Sequence, residues 1–175
     1  MKVALLIPPK DFKDESVSEA KKELEKWHVE AVIACYTNGE CVGYHGAAYK
    51  TGINAAMLNP EDFDALVLID GVGVDSYKLY DFRPLLETVR LFASSKKIVA
   101  GIGNAVKIIA RANVISDARV AHPNIEDVNR LVRLYKGVDS RNYIEFDKNI
   151  LTLSTPDAEK VNEFTAMLVE KLGVK

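Results

Sequence analysis

The stretch Asn59-Pro60-Glu61-Asp62-Phe63-Asp64-Ala65-Leu66-Val67-Leu68 combines a turn signal with the start of a buried strand. Asn59 is a favourable N-cap and Pro60 suits the first position of a helix, so the segment predicts a short helical turn. The apolar run 65–69 follows and ends at Asp70-Gly71, a pattern typical of a strand buried on both faces. A turn that leads into such a strand is expected in an α/β protein.

Three other apolar runs predict buried strands, and helix-like segments separate them. The runs are residues 3–7, 29–35 and 98–100. Apolar residues at steps of three and four predict helices between and after the strands. The apolar faces of these helices lie in residues 17–27, 82–92, 105–112, 125–135 and 161–168. This alternation predicts a mostly parallel sheet covered by helices on both faces, in a single domain over residues 1–175.

Turn and capping residues predict the end of the chain in more detail. Residues 143–146 and 150–153, joined at Asp147-Lys148-Asn149, predict a small antiparallel hairpin. The last helix is expected to begin with Thr155 as its N-cap and to end at Gly173.

The two cysteines are too few for a disulfide framework. Asn38-Gly39 predicts a hairpin turn that brings Cys35 and Cys41 near each other. A bridge between them is one interpretation, but in a reducing cytosol two separate thiols are favoured.

Composition excludes several classes of function. The chain has 175 residues, of which 48% are apolar and 27% charged, and its formal net charge is −2. That charge, without any cluster of Lys and Arg, argues against a nucleic-acid partner. The apolar run at the N-terminus is too short for a signal peptide, and no run approaches the length of a membrane helix. We therefore expect a cytoplasmic protein that binds no membrane.

The strand order also predicts where a ligand would bind. In open α/β sheets the ligand site lies at the carboxyl ends of the strands. Here those ends lead into residues 8–12, 70–75 and 101–105.

Five segments resemble the ThiJ/PfpI superfamily, collinearly over nearly the whole chain. They are Met1 to Leu6, Gly43-Tyr44-His45-Gly46, the stretch 59–68, Ile98-Val99-Ala100-Gly101-Ile102 and Ala121-His122-Pro123. The resemblance implies a flavodoxin-like, class I glutamine amidotransferase-like fold, which is a three-layer α/β/α sandwich. It also implies a homodimer or higher homo-oligomer, since members of this superfamily commonly self-associate.

The resemblance also implies a catalytic site that this chain departs from. In the superfamily a cysteine sits at a strained strand-to-helix turn, the nucleophile elbow, and the protease branch has a histidine after it. Those positions fall on Gly103 and Asn104, and the glycine after the elbow becomes Ala105. The carboxylate that bonds the sulfur falls on Asp11, and the Gly-Gly pair of the oxyanion hole becomes Asp70-Gly71. The chain is therefore interpreted as a divergent, inactive homologue with no catalytic residue.

Our leading hypothesis is a protein that binds a small polar or anionic ligand at the former active site. Loss of the elbow side chain is expected to leave space at Gly103, beside helix amides that suit an anion. No cofactor or metal is expected. The proposed binding residues are Asp11, Asp70, Gly71, Gly103, Asn104 and His122.

Several of these residues have a second interpretation. His122 either contacts a ligand or packs beside Pro123 and bonds a backbone carbonyl. Asn104 is more simply the N-cap of the helix that follows. Asp11, Asp70 and Asp75, with His122, would suit Mg²⁺ or Ca²⁺ if they converged, whereas short carboxylates also cap loops and helices.

Two other functions remain open. One is a hydrolase, glyoxalase or deglycase-like enzyme that uses a water molecule activated by Asp11 or His122. The other is a structural, homo-oligomeric or stress-related role, which an apolar surface on the helix within residues 79–92 would favour.

Overall fold

A computed structural model describes residues 1–174 of the chain. In chain order the strands are β1 (Lys2–Leu6), β2 (Lys10–Phe12), β3 (Glu30–Cys35), β4 (Glu40–Gly43), β5 (Ala48–Lys50), β6 (Ile53–Asn54), β7 (Ala65–Leu68), β8 (Ile98–Ile102), β9 (Arg119–Val120), β10 (Val138–Asp139), β11 (Ile144–Asp147) and β12 (Ile150–Leu153). The helices are α1 (Asp14–Lys26), α2 (Val72–Ser76), α3 (Arg83–Ser94), α4 (Val106–Arg111), α5 (Glu126–Leu134) and α6 (Ala158–Lys171). Within residues 1–174, no helix is both long and apolar enough to cross a membrane.

A seven-stranded sheet forms the centre of the molecule, in the order β11-β12-β8-β7-β1-β3-β6. All neighbouring strands in it are parallel except β11 and β12, which form an antiparallel hairpin. The predicted mostly parallel sheet and the hairpin near the end of the chain are therefore confirmed. The carboxyl ends of β1, β7 and β8 lie side by side in this order.

Alternate residues of the buried strands enter two separate apolar clusters, one on each face of the sheet. In β7, Leu66 and Leu68 belong to the cluster that α3 and α4 cover, while Val67 belongs to the cluster that α1 and α6 cover. Phe92 of α3 and Phe164 of α6 are fully buried on opposite sides. Helices thus cover both faces, which confirms the three-layer α/β/α sandwich.

The predicted hairpin at Asn38-Gly39 is wrong. β4 pairs with β2 and β5 in a small three-stranded sheet and does not pair with β3. Asn38 and Gly39 therefore connect two different sheets. The turn residues were correctly identified, since Gly39 has a φ of 143°, but a turn signal does not specify which strand the chain pairs with afterwards.

The predicted N-cap of the last helix is also corrected. The N-cap of α6 is Asp157, whose carboxylate accepts from the Lys160 N–H at 2.9 Å, rather than Thr155. An N-cap oxygen must reach an amide two or three residues later, and Asp157 has that spacing from Lys160. The predicted short turn after Asn59 is present: Asn59 accepts from the Glu61 N–H at 3.1 Å, a turn covers residues 60–62, and β7 begins at Ala65.

Candidate functional site

The turn after β8 keeps the strand-to-helix geometry that the sequence predicts. Gly103 has a φ of 54°, in the left-handed region, and begins a short 3₁₀ turn that leads into α4. A Cβ placed on Gly103 would lie 3.3 Å from Cβ and Oδ2 of Asp70 and 3.3 Å from Cγ of Pro156. The space expected at Gly103 is therefore filled by these two side chains. The carboxylate nearest to it is that of Asp70 and not that of Asp11.

Asn104 connects the loops that follow β7 and β8. Its Oδ1 accepts from the Gly71 N–H at 3.1 Å, and its Nδ2 donates to the Gly71 carbonyl at 2.8 Å and to Asp75 Oδ2 at 3.1 Å. The interpretation of Asn104 as an N-cap is wrong, because the 3₁₀ turn moves the start of α4 and puts Ala105 at the capping position. As a result, the amide of Gly71, which the resemblance assigns to an oxyanion hole, already has an acceptor.

Asp70 is a buried carboxyl group between the elbow and α1. Only 3% of the residue is exposed. Burial raises the pKa of the Asp70 carboxyl to about 6, and the nearby hydroxyl of Ser16 and charge of Lys13 oppose that rise only in part. Within residues 1–174, neither Oδ1 of Asp70 nor Oγ of Ser16 has a hydrogen-bond partner of good geometry. Asp70 thus places a titratable group next to Gly103.

A cavity of about 240 Å³ lies beside the elbow, over Gly71. Its lining residues are Asp11, Lys13, Glu15, Tyr44, His45, Gly71 and Val72. Lys13, the central cation of this group, donates from Nζ to the carbonyl of Pro156, the residue that also contacts Gly103. The cavity therefore brings Asp11 and Gly71 together with a cation that the sequence analysis did not identify.

The outer wall of this cavity is held by a carboxylate at the start of α1. Asp14 accepts from the N–H groups of His45 and Ala47, both at 2.8 Å. Burial raises the pKa of Asp14, but the backbone hydrogen bonds to its carboxylate, together with the nearby His45, outweigh burial and leave the pKa below its usual value. A Cβ on Gly43 would lie 2.5 Å from Asp14 Oδ2, so the loop 43–46 can approach this closely only with glycine there. Asp14 thereby fixes Tyr44 and His45 at the cavity.

His122 lies apart from the residues around Gly103. Its side chain is 6% exposed, its Nδ1 is 3.1 Å from the Pro123 carbonyl, and its Nε2 is 3.6 Å from Asp139 Oδ1. It lines polar clefts together with Asn124 and Asp139 rather than the cavity over Gly71. The contact with the Pro123 carbonyl agrees with the interpretation of His122 as a structural residue that bonds a backbone carbonyl.

Lys107 is a buried cation that the sequence analysis also missed. The residue is 5% exposed, its Nζ forms an ion pair with Asp75, and it lies 4.4 Å from the ring centre of Tyr80. A lysine within the apolar run of α4 is the signal that would have predicted a buried partner. Asp75 is thus bound by both Asn104 and Lys107. No three His, Cys, Asp or Glu side chains within residues 1–174 gather in a cluster that would hold a metal ion.

Neither cysteine lies at the elbow. Cys35 ends β3 and Cys41 lies in β4, and the sulfur of each is 3.5 Å from Oγ1 of Thr37. The nearest side-chain neighbours of Gly103 are Asp70 and Pro156 instead.

Several known proteins resemble this chain in sequence or in fold. The chain is 29% identical to an uncharacterized protein of Methanocaldococcus jannaschii over 157 residues, which cover 89% of this chain and 76% of that protein. It is 30% identical to a deglycase of Pyrococcus horikoshii over 128 residues, covering 73% of this chain and 75% of that protein. The crystal structure of a ThiJ/PfpI domain protein from Brachyspira murdochii has the same fold, with a TM-score of 0.91, 24% identity, and 98% and 96% of the two chains covered. The model of the DJ-1/PfpI family matches residues 1–171, nearly the entire chain. A match of that extent, on a sheet that keeps the positive-φ turn after β8, shows that the chain belongs to the DJ-1/PfpI family.

Proposed function

We propose that this member of the DJ-1/PfpI family has lost cysteine-nucleophile chemistry and binds a small polar or anionic ligand beside the former elbow. One observation carries the proposal: the elbow turn is retained at Gly103, while the neighbouring Asn104 bonds the Gly71 amide that would otherwise face a substrate. The turn has kept its shape without a nucleophile.

Cysteine chemistry of this type needs a thiolate at the elbow and free amide donors for the oxyanion. Gly103 supplies no side chain, and the Gly71 N–H already has an acceptor in Asn104. The carboxyl group of Asp70, 3.3 Å from where a Cβ on Gly103 would lie, is largely ionised at neutral pH and would repel a developing oxyanion. These features oppose acyl or aldehyde chemistry at this turn.

The cavity over Gly71 has the chemistry expected of a small-ligand site. Lys13 supplies positive charge, and Tyr44 and His45 supply polar and aromatic surface. Asp11 and Glu15 also line the cavity, and their carboxylates would accept hydrogen bonds from polar groups of a ligand. Asp70, Gly103 and Asn104 form the structural support next to it, and His122 is not part of this proposed site.

Sulfate is a suitable probe for this cavity because it remains a dianion above about pH 5, so its own charge does not change around the pKa of Asp70, about 6. We expect millimolar sulfate to raise the melting temperature of the protein, and the rise to be larger below about pH 6, where Asp70 is protonated. Lys13→Gln is expected to abolish the sulfate-induced rise. Lys10→Gln removes an exposed charge from the neighbouring strand and should leave it unchanged. A rise that is equal in both variants would mean that sulfate acts generally on the surface, and the anion site would be rejected.

An enzyme of the hydrolase, glyoxalase or deglycase type is the second candidate, since one relative with 30% identity is a deglycase. Such an enzyme would need a water molecule activated by Asp11 or His122. Turnover by the wild-type chain that is lost in Asp11→Asn or His122→Ala would favour this candidate over a binding protein.

Self-association is a proposal that is compatible with either function. Three exposed apolar side chains, Tyr77, Phe82 and Leu91, lie in and next to the segment 79–92, with 46%, 38% and 50% of their surface exposed. A homodimer or higher oligomer would cover them. Light scattering on the purified chain distinguishes a monomer from these assemblies.

A further inference from the structure

Two buried thiols lie close together at the junction between the seven-stranded sheet and the three-stranded sheet. Cys35 is the last residue of β3, Cys41 lies in β4, and both are free and have no exposed surface. Oγ1 of Thr37 lies 3.5 Å from each sulfur, so the sulfurs are separated by no more than twice that distance. Burial raises the pKa of Cys35, Thr37 opposes this, and the neighbouring Cys41 thiol adds to the rise. The two sulfurs are therefore neighbours in the folded chain.

The segment between the cysteines is exposed but held in place. Thr51 donates from its N–H to the Gly39 carbonyl at 2.8 Å and from Oγ1 to the Thr37 carbonyl at 2.9 Å. Asn54 Nδ2 donates to Asn38 Oδ1 at 2.9 Å. These contacts order the segment between the two thiols. Residues 37–40 are all exposed, so a reagent would reach the buried sulfurs by local opening of this segment.

We propose that Cys35 and Cys41 are a modification site that forms an intramolecular disulfide by exchange with a small-molecule disulfide such as oxidised glutathione. One cysteine, as its thiolate, attacks a sulfur of the small disulfide, which breaks that S–S bond and releases one thiolate. The second cysteine then attacks the protein sulfur of the mixed disulfide and displaces the other thiolate. The two cysteine protons end on the released thiols, so the cysteines are oxidised and the small disulfide is reduced.

The new bond would join the end of β3 to β4. β4 leads directly into the loop 43–46, which carries Tyr44 and His45 to the cavity over Gly71. Oxidation is therefore expected to fix the small sheet, and with it the outer wall of that cavity, to the main sheet. This inference concerns a different part of the molecule from Gly103 and holds whether or not the cavity binds an anion.

The test uses the native wild-type chain with excess oxidised glutathione, followed by alkylation and mass spectrometry. We expect the intact mass to fall by two hydrogen atoms, with no alkylation and no bound glutathione, and a peptide map to join residues 35 and 41. Closing this short loop should raise the melting temperature by about 5 °C, and a reducing agent should reverse the rise.

Cys35→Ser and Cys41→Ser are the matched controls, because each leaves one thiol in the same surroundings. Each is expected to gain at most one glutathione and never to lose two hydrogens. The proposal is overturned if the native wild-type chain keeps two alkylatable thiols, links to a second chain, or forms the internal bond only after it is unfolded in guanidinium chloride.

Discussion

Asp70→Asn is expected to stabilise the protein at pH 7 by up to about 3 kcal/mol, an unusual direction for a change at a buried polar residue. Burial raises the pKa of the Asp70 carboxyl from 3.8 to about 6, so at pH 7 the folded chain holds a charge that it solvates poorly. Asparagine has nearly the same shape and no charge. Its amide can also donate toward Ser16, whose Oγ has no partner within residues 1–174.

The raised pKa of the Asp70 carboxyl also predicts how the stability of the protein depends on pH. Between about pH 4 and pH 6 the folded state keeps the Asp70 proton while the unfolded state has released it, so the folded state binds more protons. The free energy of unfolding of the wild type should therefore fall as pH rises through this range, and that fall should be absent in Asp70→Asn. Urea denaturation at several pH values measures both profiles, with Asp62→Asn, an exposed carboxyl, as the control. Parallel profiles for wild type and Asp70→Asn would contradict the assignment of this pKa.

Gly71→Ala is expected to destabilise the protein strongly, with a loss of about 4 kcal/mol or more. Gly71 has a φ of 139°, and a Cβ there would lie 2.5 Å from the Asp11 carbonyl oxygen and 2.7 Å from the Lys13 nitrogen. Both are backbone atoms, which cannot rotate away as a side chain does. The Lys13 N–H is also bonded to the Asp70 carbonyl at 2.9 Å, so the two segments are held together at this point.

Gly39 provides the matched control for Gly71→Ala. Its φ of 143° is nearly the same, but nothing lies within 4 Å of where its Cβ would stand. Gly39→Ala therefore introduces backbone strain without a steric clash, and it should lower the free energy of unfolding by about 1–3 kcal/mol. Equilibrium denaturation of both variants separates the two contributions. If the losses are equal, close packing at Gly71 is not what requires glycine there.

Much of the fold could be predicted from apolar periodicity, because strands buried on both faces leave continuous runs such as 65–69. Local turn residues were less informative. Asn38-Gly39 does form a turn, but the strand after it pairs with β2 and β5, a choice that depends on residues distant in sequence. α2, only five residues long, was not predicted, since it is too short to show a helical period.

For the candidate site, the loops that meet could be predicted, but their side-chain contacts could not. Because the strands are parallel, the segments after β7 and β8 had to lie side by side, and Gly71 and Asn104 do contact each other. Asn104 bonds Gly71 instead of capping its own helix because of the direction of its side chain between two loops. The spacing of residues in the sequence does not reveal that direction. Lys13 was overlooked for the same reason, since its partner, the Pro156 carbonyl, is far away in sequence.

The central claim is that the elbow turn persists while its chemistry is gone. The initial rate of methylglyoxal consumption by the purified wild-type chain, next to a Gly103→Cys variant, tests it most directly. We predict no consumption above the protein-free rate for the wild type, and at most weak activity in Gly103→Cys, because Asn104 and Asp70 remain in place. Methylglyoxal consumption that persists after both Cys35 and Cys41 are replaced by serine would contradict the claim, since it would show that the chain retains catalytic activity without any thiol.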